Sequence, residues 1–428
     1  MLAVTQREIR ISAKNGAGLF YGVQTLVQCA SNGRMPVMEI RDRPRFSYRG
    51  FHLDASRHFF SAAFVKRCID IMSRYKFNTF HWHLTDDQGW RLPVAGYPDL
   101  VRIGSVRGGA DPASGFYTRD EIRDIVRFAA ERHVEVIPEV DMPGHSAAAV
   151  ASYPQLSCRK KPIPVASVWP ASEDLLCGGS PETDAFVRAV IDELCALFPS
   201  KRIHIGGDEA VLTRWKECPV CGGRISRLEL RDVHGLRRDF IRRVRAYAAS
   251  KGKSVIGWDE NVEADAPRDM TIMAWSGITR GAYAASKGYR VIQSPARFCY
   301  FDKYQTDPAT EPRAAKGYLS ARMVYAWDPL DGVGKDDAQR VLGAEWCLWT
   351  EFVPDEATAE LRLFPRALAA AEVAWSAKGA RSWRPFRVRA EAAAAELEKS
   401  GVNVRKGALY EPLWGKWFAK NFRSGYLR

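Results

Sequence analysis

Apolar positions recur along this chain in two alternating periods. Short runs rich in β-branched and aromatic residues read as strands: YRGFHLDA from Tyr48, FNTFHWHL from Phe77, HVEVIPEVD from His133 and RIHIGGDE from Arg202. SVIGWDE from Ser254, TIMAWSG from Thr271, YRVIQSP from Tyr289 and GAEWCLWTE from Gly343 continue the series. Stretches with the three-to-four residue spacing of amphipathic helices separate many of them, among them AAFVKRCIDIMSRYK, TRDEIRDIVRFAAER and DAFVRAVIDELCALF. Strands alternating with helices imply parallel β/α units and an α/β fold. Eight such strands fit one (β/α)8 TIM barrel with insertions. An open doubly wound sheet competes, but no G-x-G-x-x-G follows the first strand, so a dinucleotide site has little support.

The flanks read differently. EIRIS near the start alternates like a strand, and GLFYGVQTLVQ has helical spacing. One strand and one helix cannot close a core, so residues 1–40 read as the C-terminal remnant of a small α+β domain, with a lid on the main domain as the alternative. The segment RDRPRFSYRG marks the boundary to a barrel over 41–380. TAELRLFPRALAAAEVAWS and RAEAAAAELEKSG read as helices, the second stopping at Gly401. Residues 381–428 are expected to form a helical extension packed on the barrel.

Composition adds limits. The chain has 428 residues, 46% of them hydrophobic, enough for one large domain with appendages or two to three ordinary ones. The net charge of +13 raises nucleic acid, acidic glycans and membrane surfaces as partners. The basic residues are scattered, however, and the densest run, Arg227 to Arg245, is interleaved with apolar residues as on a solvated helix face. Nine cysteines do not make a disulfide scaffold. No apolar stretch of about 18 residues exists to span a membrane. Charge arrives in MLAVTQREIR before any signal-peptide core, yet an exported protein with its signal removed would look the same. A periplasmic or extracellular location is the expectation and the cytoplasm the alternative.

The strand ends carry the chemistry. In order they present Asp54 and Arg57; Asp86, Asp87 and Trp90; Glu139, Asp141 and His145; Asp208 and Glu209; Trp258, Asp259 and Glu260; Trp275; Tyr300 and Asp302; Trp349 and Glu351. A barrel gathers these ends on one face, where active sites lie. Any single Asp reads as a helix cap and any single Trp as core, but the joint pattern does not. Carboxylates that accept from hydroxyls, rings that cover C–H faces and an Arg fork suit a pyranose sugar. A metal site is the rival use, but neither H-E-x-x-H nor EF-hand spacing is present, and no catalytic metal or cofactor is expected. CPVC, Cys218 to Cys221, is half of a zinc site by spacing. No second C-x-x-C completes it, so a loop disulfide or two free thiols is the expectation. Cys158 and Cys177 flank another loop and could bridge.

HIGGDEA, FHLDASRHFF, FNTFHWHLTDDQGWR, VIPEVDMPGH and GAEWCLWTE together resemble the β-N-acetylhexosaminidases of glycoside hydrolase family 20, from about Arg49 to Trp375. The first forty residues resemble the last strand and helix of that family's small domain. The resemblance implies an exo-acting, retaining hydrolase of terminal β-linked N-acetylglucosamine or N-acetylgalactosamine, working through an oxazolinium intermediate formed by the substrate's own acetamido group. It implies Glu209 as general acid/base, Asp208 as the group that holds the acetamido N–H, and Tyr300 as the donor to the acetamido oxygen. Arg57, Asp302 and Glu351 would hold sugar hydroxyls. Trp258, Trp275, Trp349 and, less directly, Trp327 would wall the pocket. Asp86, Glu139, Asp141 and His145 would support these groups, Asp86 and His145 close to the substrate. Two close carboxylates raise one pKa, and Glu209 is expected to hold its proton near neutral pH.

Two other readings remain at this point. One is a sugar-binding barrel without turnover, which would require a lost acid. The other is a nucleic-acid binder, which the pairing of tryptophans with acids disfavours. The flank of the barrel beside residues 1–40 calls for cover from further chain or a partner, and a homodimer would supply it. The lysines and arginines of the Cys158–Cys177 loop suggest acidic or sulfated glycans.

Overall fold

The computed structural model describes residues 1–30, 34–108, 111–167, 172–263 and 265–410. The end of the expected C-terminal extension, 411–428, and part of the Cys158–Cys177 loop, 168–171, lie outside the described residues. Eight parallel strands form a closed barrel: β1 Tyr48–Asp54, β2 Thr79–His83, β3 Glu135–Glu139, β4 Arg202–His204, β5 Ser254–Trp258, β6 Thr271–Ala274, β7 Arg290–Gln293 and β8 Val341–Leu348. All eight strand-like runs in the sequence supply one strand each. Closure comes from β8 pairing with β1, with Glu345 opposite Gly50 and Cys347 opposite His52.

The outer layer follows from the helical periodicity. Ala62–Arg74 is capped by the Ser61 hydroxyl, which accepts from the Phe64 amide, and it buries Phe64, Val65, Ile69 and Met72. Arg119–Ala130 opens with a capping box between Thr118 and Glu121. The basic run lies in the helix Val233–Ser250, which buries Leu236, Phe240, Ile241 and Val244. The expected continuous helix over 358–376 is broken: one helix ends at Leu363 and the next starts at Arg366. Pro365 lacks an amide donor and interrupts the ladder.

Inside the barrel the alternation of strand side chains turns polar groups inward. His81 lies between Glu139 and Glu345, its Nε2 3.1 Å from one carboxylate and its Nδ1 2.8 Å from the other. Tyr48 donates to Glu345, and His204 Nδ1 lies 2.7 Å from Glu139. A buried charge is tolerated only when paired, and here each carboxylate has several partners.

At the N-terminus, strands Ile9–Ile11, Leu2–Val4 and Met38–Ile40 form an antiparallel sheet in that order. The helix Gly16–Cys29 joins it to the barrel flank. Arg49 donates to the Tyr21 hydroxyl at 2.9 Å, and the Tyr21 ring meets Trp375 edge-on. After the barrel, Trp383–Lys399 packs Phe386 against Tyr325, with ring centroids 4.4 Å apart.

Candidate active site

The C-terminal ends of the strands bring polar and aromatic side chains together on one face of the barrel. After β4 the chain turns through Gly206 and Gly207, with φ of +62° and +92°, and Glu209 is also left-handed at +43°. The turn answers the problem of adjacent acids, whose side chains would point apart on a regular strand. Asp208 goes inward and is largely buried, while the Glu209 side chain stays 40% exposed. Asn261 holds the turn by donating to the Gly206 carbonyl at 3.0 Å, and Arg237 donates to the Gly207 carbonyl at 2.5 Å.

His145 stands beside both acids. Its Nε2 lies 3.6 Å from Asp208 and 3.7 Å from Glu209, and its Nδ1 lies 3.1 Å from Asp86. Burial lowers the His145 pKa, but Asp86 and Asp208 outweigh it, so the imidazole is held well above its ordinary value and carries charge. Asp86 in turn is held well below the carboxylate range: burial opposes this, and Arg57 and His145 overcome it. A relay of contacts continues from Asp86 to His83 at 2.9 Å and from His83 to Glu139. Glu139 also accepts from the Trp258 indole at 2.9 Å, which fixes that ring.

Asp141 lies against Asp208, and oxygens of the two carboxyls and a nitrogen of His145 fall within 4.8 Å of one another. Burial first, and Asp141 second, hold the Asp208 carboxyl well above its usual value. Burial also pushes Asp141 up to about 7. Burial, Asp208 and Asp259 push Glu260 up to about 8. Three acids crowded at one point keep their protons longer, because each added charge repels the next.

The opposite wall is aromatic. Trp275 and Tyr300 are parallel with centroids 6.2 Å apart, and the Trp349 ring lies 5.9 Å from Tyr300 and 5.9 Å from Trp258. Trp275 is placed by Asp259, which accepts from its amide at 2.9 Å, and by Glu260, which accepts from its indole at 3.1 Å. Arg57 lies 5.0 Å from the Trp349 ring centre. Its guanidinium contacts Asp54 at 3.1 Å, Asp86 at 2.8 Å and Glu351 at 3.9 Å, and it donates to Gln88 at 3.1 Å. Burial pushes Glu351 up to about 7 against the pull of Arg57, with Asp54 and Asp302 adding to the rise. Burial raises Asp302 as well.

The structure thus gathers Asp208, Glu209, His145, Asp86, Asp141, Glu139, Trp258, Trp275, Tyr300, Trp349, Arg57 and Glu351 through direct contacts, with Asp302 beside Glu351. Trp327 stands apart. Its ring stacks on Phe298 at 5.8 Å and meets Trp346 edge-on. Trp346 alternates with the inward Glu345 and Cys347 and so faces the outer layer. Sequence reasoning passed over His52, His81, His83, His204 and Glu345, which line the barrel below the site, and Arg237, which sat within a run read as a solvated face. The only signal for the histidines was their alternate spacing within strands, at 81 and 83.

Comparison with known proteins gives the same organisation. Residues 46–378 match the model of the glycosyl hydrolase family 20 catalytic domain, and residues 1–43 match that of glycosyl hydrolase family 20, domain 2. The chain is 40% identical over 418 residues to a beta-hexosaminidase of Porphyromonas gingivalis, with 94% of this chain covered and 54% of that protein. It therefore spans about half the length of that relative. The Streptomyces plicatus N-acetyl-beta-hexosaminidase in complex with thio-NAglucal superposes with a TM-score of 0.84 at 36% identity, over 95% of this chain and 81% of the other. A family 20 exo beta-N-acetylglucosaminidase of Vibrio harveyi, in complex with N-acetylglucosamine, superposes with a TM-score of 0.86 at 32% identity, over 96% and 67%. The barrel, its strand-end motifs and the extent of these matches place the chain in glycoside hydrolase family 20.

Proposed function

We propose that the chain removes terminal β-linked N-acetylhexosamine from glycans, with retention and by substrate-assisted catalysis. The observation that carries this reading is the split of the acidic pair: Asp208 is buried against Asp141, and Glu209 is exposed at the mouth, with His145 Nε2 within 3.7 Å of both. Glu209 is then the acid that protonates the glycosidic oxygen as the C1–O bond breaks. The substrate's acetamido oxygen takes the anomeric carbon, forming an oxazolinium ion. Glu209, now ionised, removes a proton from the water that opens it. Positive charge on the acetamido nitrogen favours the ionised form of Asp208 as that charge develops, so the interaction is stronger in the transition state than in the ground state.

The remaining groups fit a sugar. Asp208 Oδ1 and Asp302 Oδ1 are buried acceptors, and Trp349 Nε1 a buried donor, without partners among the described residues. An N-acetylhexosamine brings N–H, hydroxyl and carbonyl groups that would satisfy them. Tyr300 orients the acetamido oxygen. Arg57, Asp302 and Glu351 hold the distal hydroxyls, which limits the site to a terminal residue. The similarity to the Streptomyces plicatus and Vibrio harveyi enzymes supports the same substrate class.

Chromogenic β-GlcNAc and β-GalNAc glycosides test the reading, with wild type and Glu209→Gln compared. Release by wild type and a loss of roughly 10²–10⁴-fold in the variant are expected for a missing general acid. Equal turnover by the two proteins would overturn it, and the wild-type rates rank the two sugars.

A further inference from the structure

Four of the nine cysteines converge on one point beside the active site. Cys177 Sγ lies 3.6 Å from Cys221 and 3.8 Å from Cys218, and Cys158 Sγ lies 3.8 Å from Cys221. All four sulfurs fall within 4.8 Å of one another. Cys177, Cys218 and Cys221 are buried and Cys158 is half-buried. The C-x-x-C half was visible in the sequence. Its complement was not, because Cys158 and Cys177 reach it from the far ends of a long loop.

We propose that these four cysteines hold a structural zinc ion that clamps the loop after β3 to the loop after β4. Four thiolates at about 2.3 Å from a tetrahedral metal stand roughly 3.8 Å apart, and three of the six sulfur pairs here lie at 3.6–3.8 Å with the rest within 4.8 Å. A disulfide requires about 2.05 Å between one pair and no closeness between pairs, and all nine cysteines are free thiols in the structure. Cys218 and Cys221 cap and open the helix Pro219–Arg227, so the helix start presents both sulfurs on one side. On the facing loop an antiparallel bridge between Ser157 and Leu176 sets Cys158 beside Cys177. The two loops approach too closely for side chains at Gly179, where a Cβ would fall 2.6 Å from the Val220 carbonyl. Binding is redox-neutral: Zn²⁺ replaces the thiol protons, which pass to solvent.

The clamp bears on the active site through both loops. One carries Asp141 and His145 at its start, the other Asp208 and Glu209. They are tied further by the Trp215 indole, after β4, donating to the Leu176 carbonyl at 2.9 Å, and within the loop after β3 the Leu176 amide donates to the Pro143 carbonyl at 3.0 Å. The cysteines are positioning residues.

The test is metal analysis of the full chain, purified with reductant and without chelator. Expected are about one zinc per chain and, after cobalt exchange, the intense visible bands and sulfur charge-transfer absorption of a tetrahedral thiolate site. The double variant Cys218→Ser, Cys221→Ser loses the metal, while Cys29→Ser keeps it. The wild-type spectrum decides the matter even if the double variant fails to fold. Protein that binds no stoichiometric zinc on addition, that carries disulfides among these cysteines by mass, or whose cobalt form lacks thiolate absorption overturns the proposal. None of these readouts depends on glycosidase activity.

Discussion

His145 Nε2 lies 3.6 Å from the Asp208 carboxylate, while the same ring contacts Asp86 through Nδ1 at 3.1 Å. The imidazolium thereby opposes the rise that burial and Asp141 impose on Asp208. Removing it leaves Asp208 harder to ionise. His145→Ala is expected to lower kcat/KM by roughly 10–100-fold and to move the acid limb of its pH profile to higher pH. An unchanged limb with the same loss would make His145 a packing residue only.

Asp141 acts with the opposite sign. Its charge raises Asp208. Asp141→Asn removes the like charge, so the acid limb of kcat/KM is expected to move to lower pH. The two profiles, measured on one substrate, test the pair. A shift in the same direction for both variants would refute the electrostatic account.

The barrel and most of this site were legible in the sequence, and the physical reason is that both depend on strand ends. A buried parallel strand shows as an apolar run, and its polar terminus shows as the next few residues. What the sequence hid depends on facing. Trp349 follows β8 directly and joins the ring cluster, whereas Trp327 closes the helix Ala321–Ala326 and packs on Phe298 instead. His81 and Glu345 looked like polar interruptions of apolar strands and are partners inside the barrel. The three-residue strands Leu2–Val4 and Met38–Ile40 are too short to show a period. Arg237 and the four-cysteine cluster are contacts across loops, which no local pattern records.

Glu351 gives a stability prediction. Its pKa is pushed from an ordinary 4.5 up to about 7, so below 4.5 it is protonated folded or unfolded and costs nothing. As pH rises from 4.5 to 7 the unfolded chain ionises it while the folded chain resists, and stability falls. Glu351→Gln removes that dependence. The stability difference between pH 5 and pH 8, measured by urea unfolding, is expected to be smaller in the variant by on the order of 1–3 kcal/mol. An equal difference in both proteins would show that Glu351 is not held high.

The glycine turn makes the last prediction. β4 ends at His204, and the chain must reverse at once to send Asp208 inward and leave Glu209 at the mouth. Gly206 does this at φ +62°, and a Cβ there would lie 1.8 Å from Asp141 Oδ1. Asp141 cannot retreat without losing the Gly207 amide, which donates to that same oxygen at 3.0 Å. The methyl group in Gly206→Ala therefore displaces both Asp141 and the turn, and a shift of about 1 Å at reacting groups costs about 10²-fold in rate. A loss of kcat of that size is expected, with stability lowered by about 1–3 kcal/mol for the strained backbone. Gly223→Ala is the control, since a Cβ there meets nothing within 4 Å and the residue lies in the helix Pro219–Arg227. That variant is expected to keep full activity and to gain about 0.5–1 kcal/mol. Full activity in Gly206→Ala would mean that the acids do not depend on the turn for their aim.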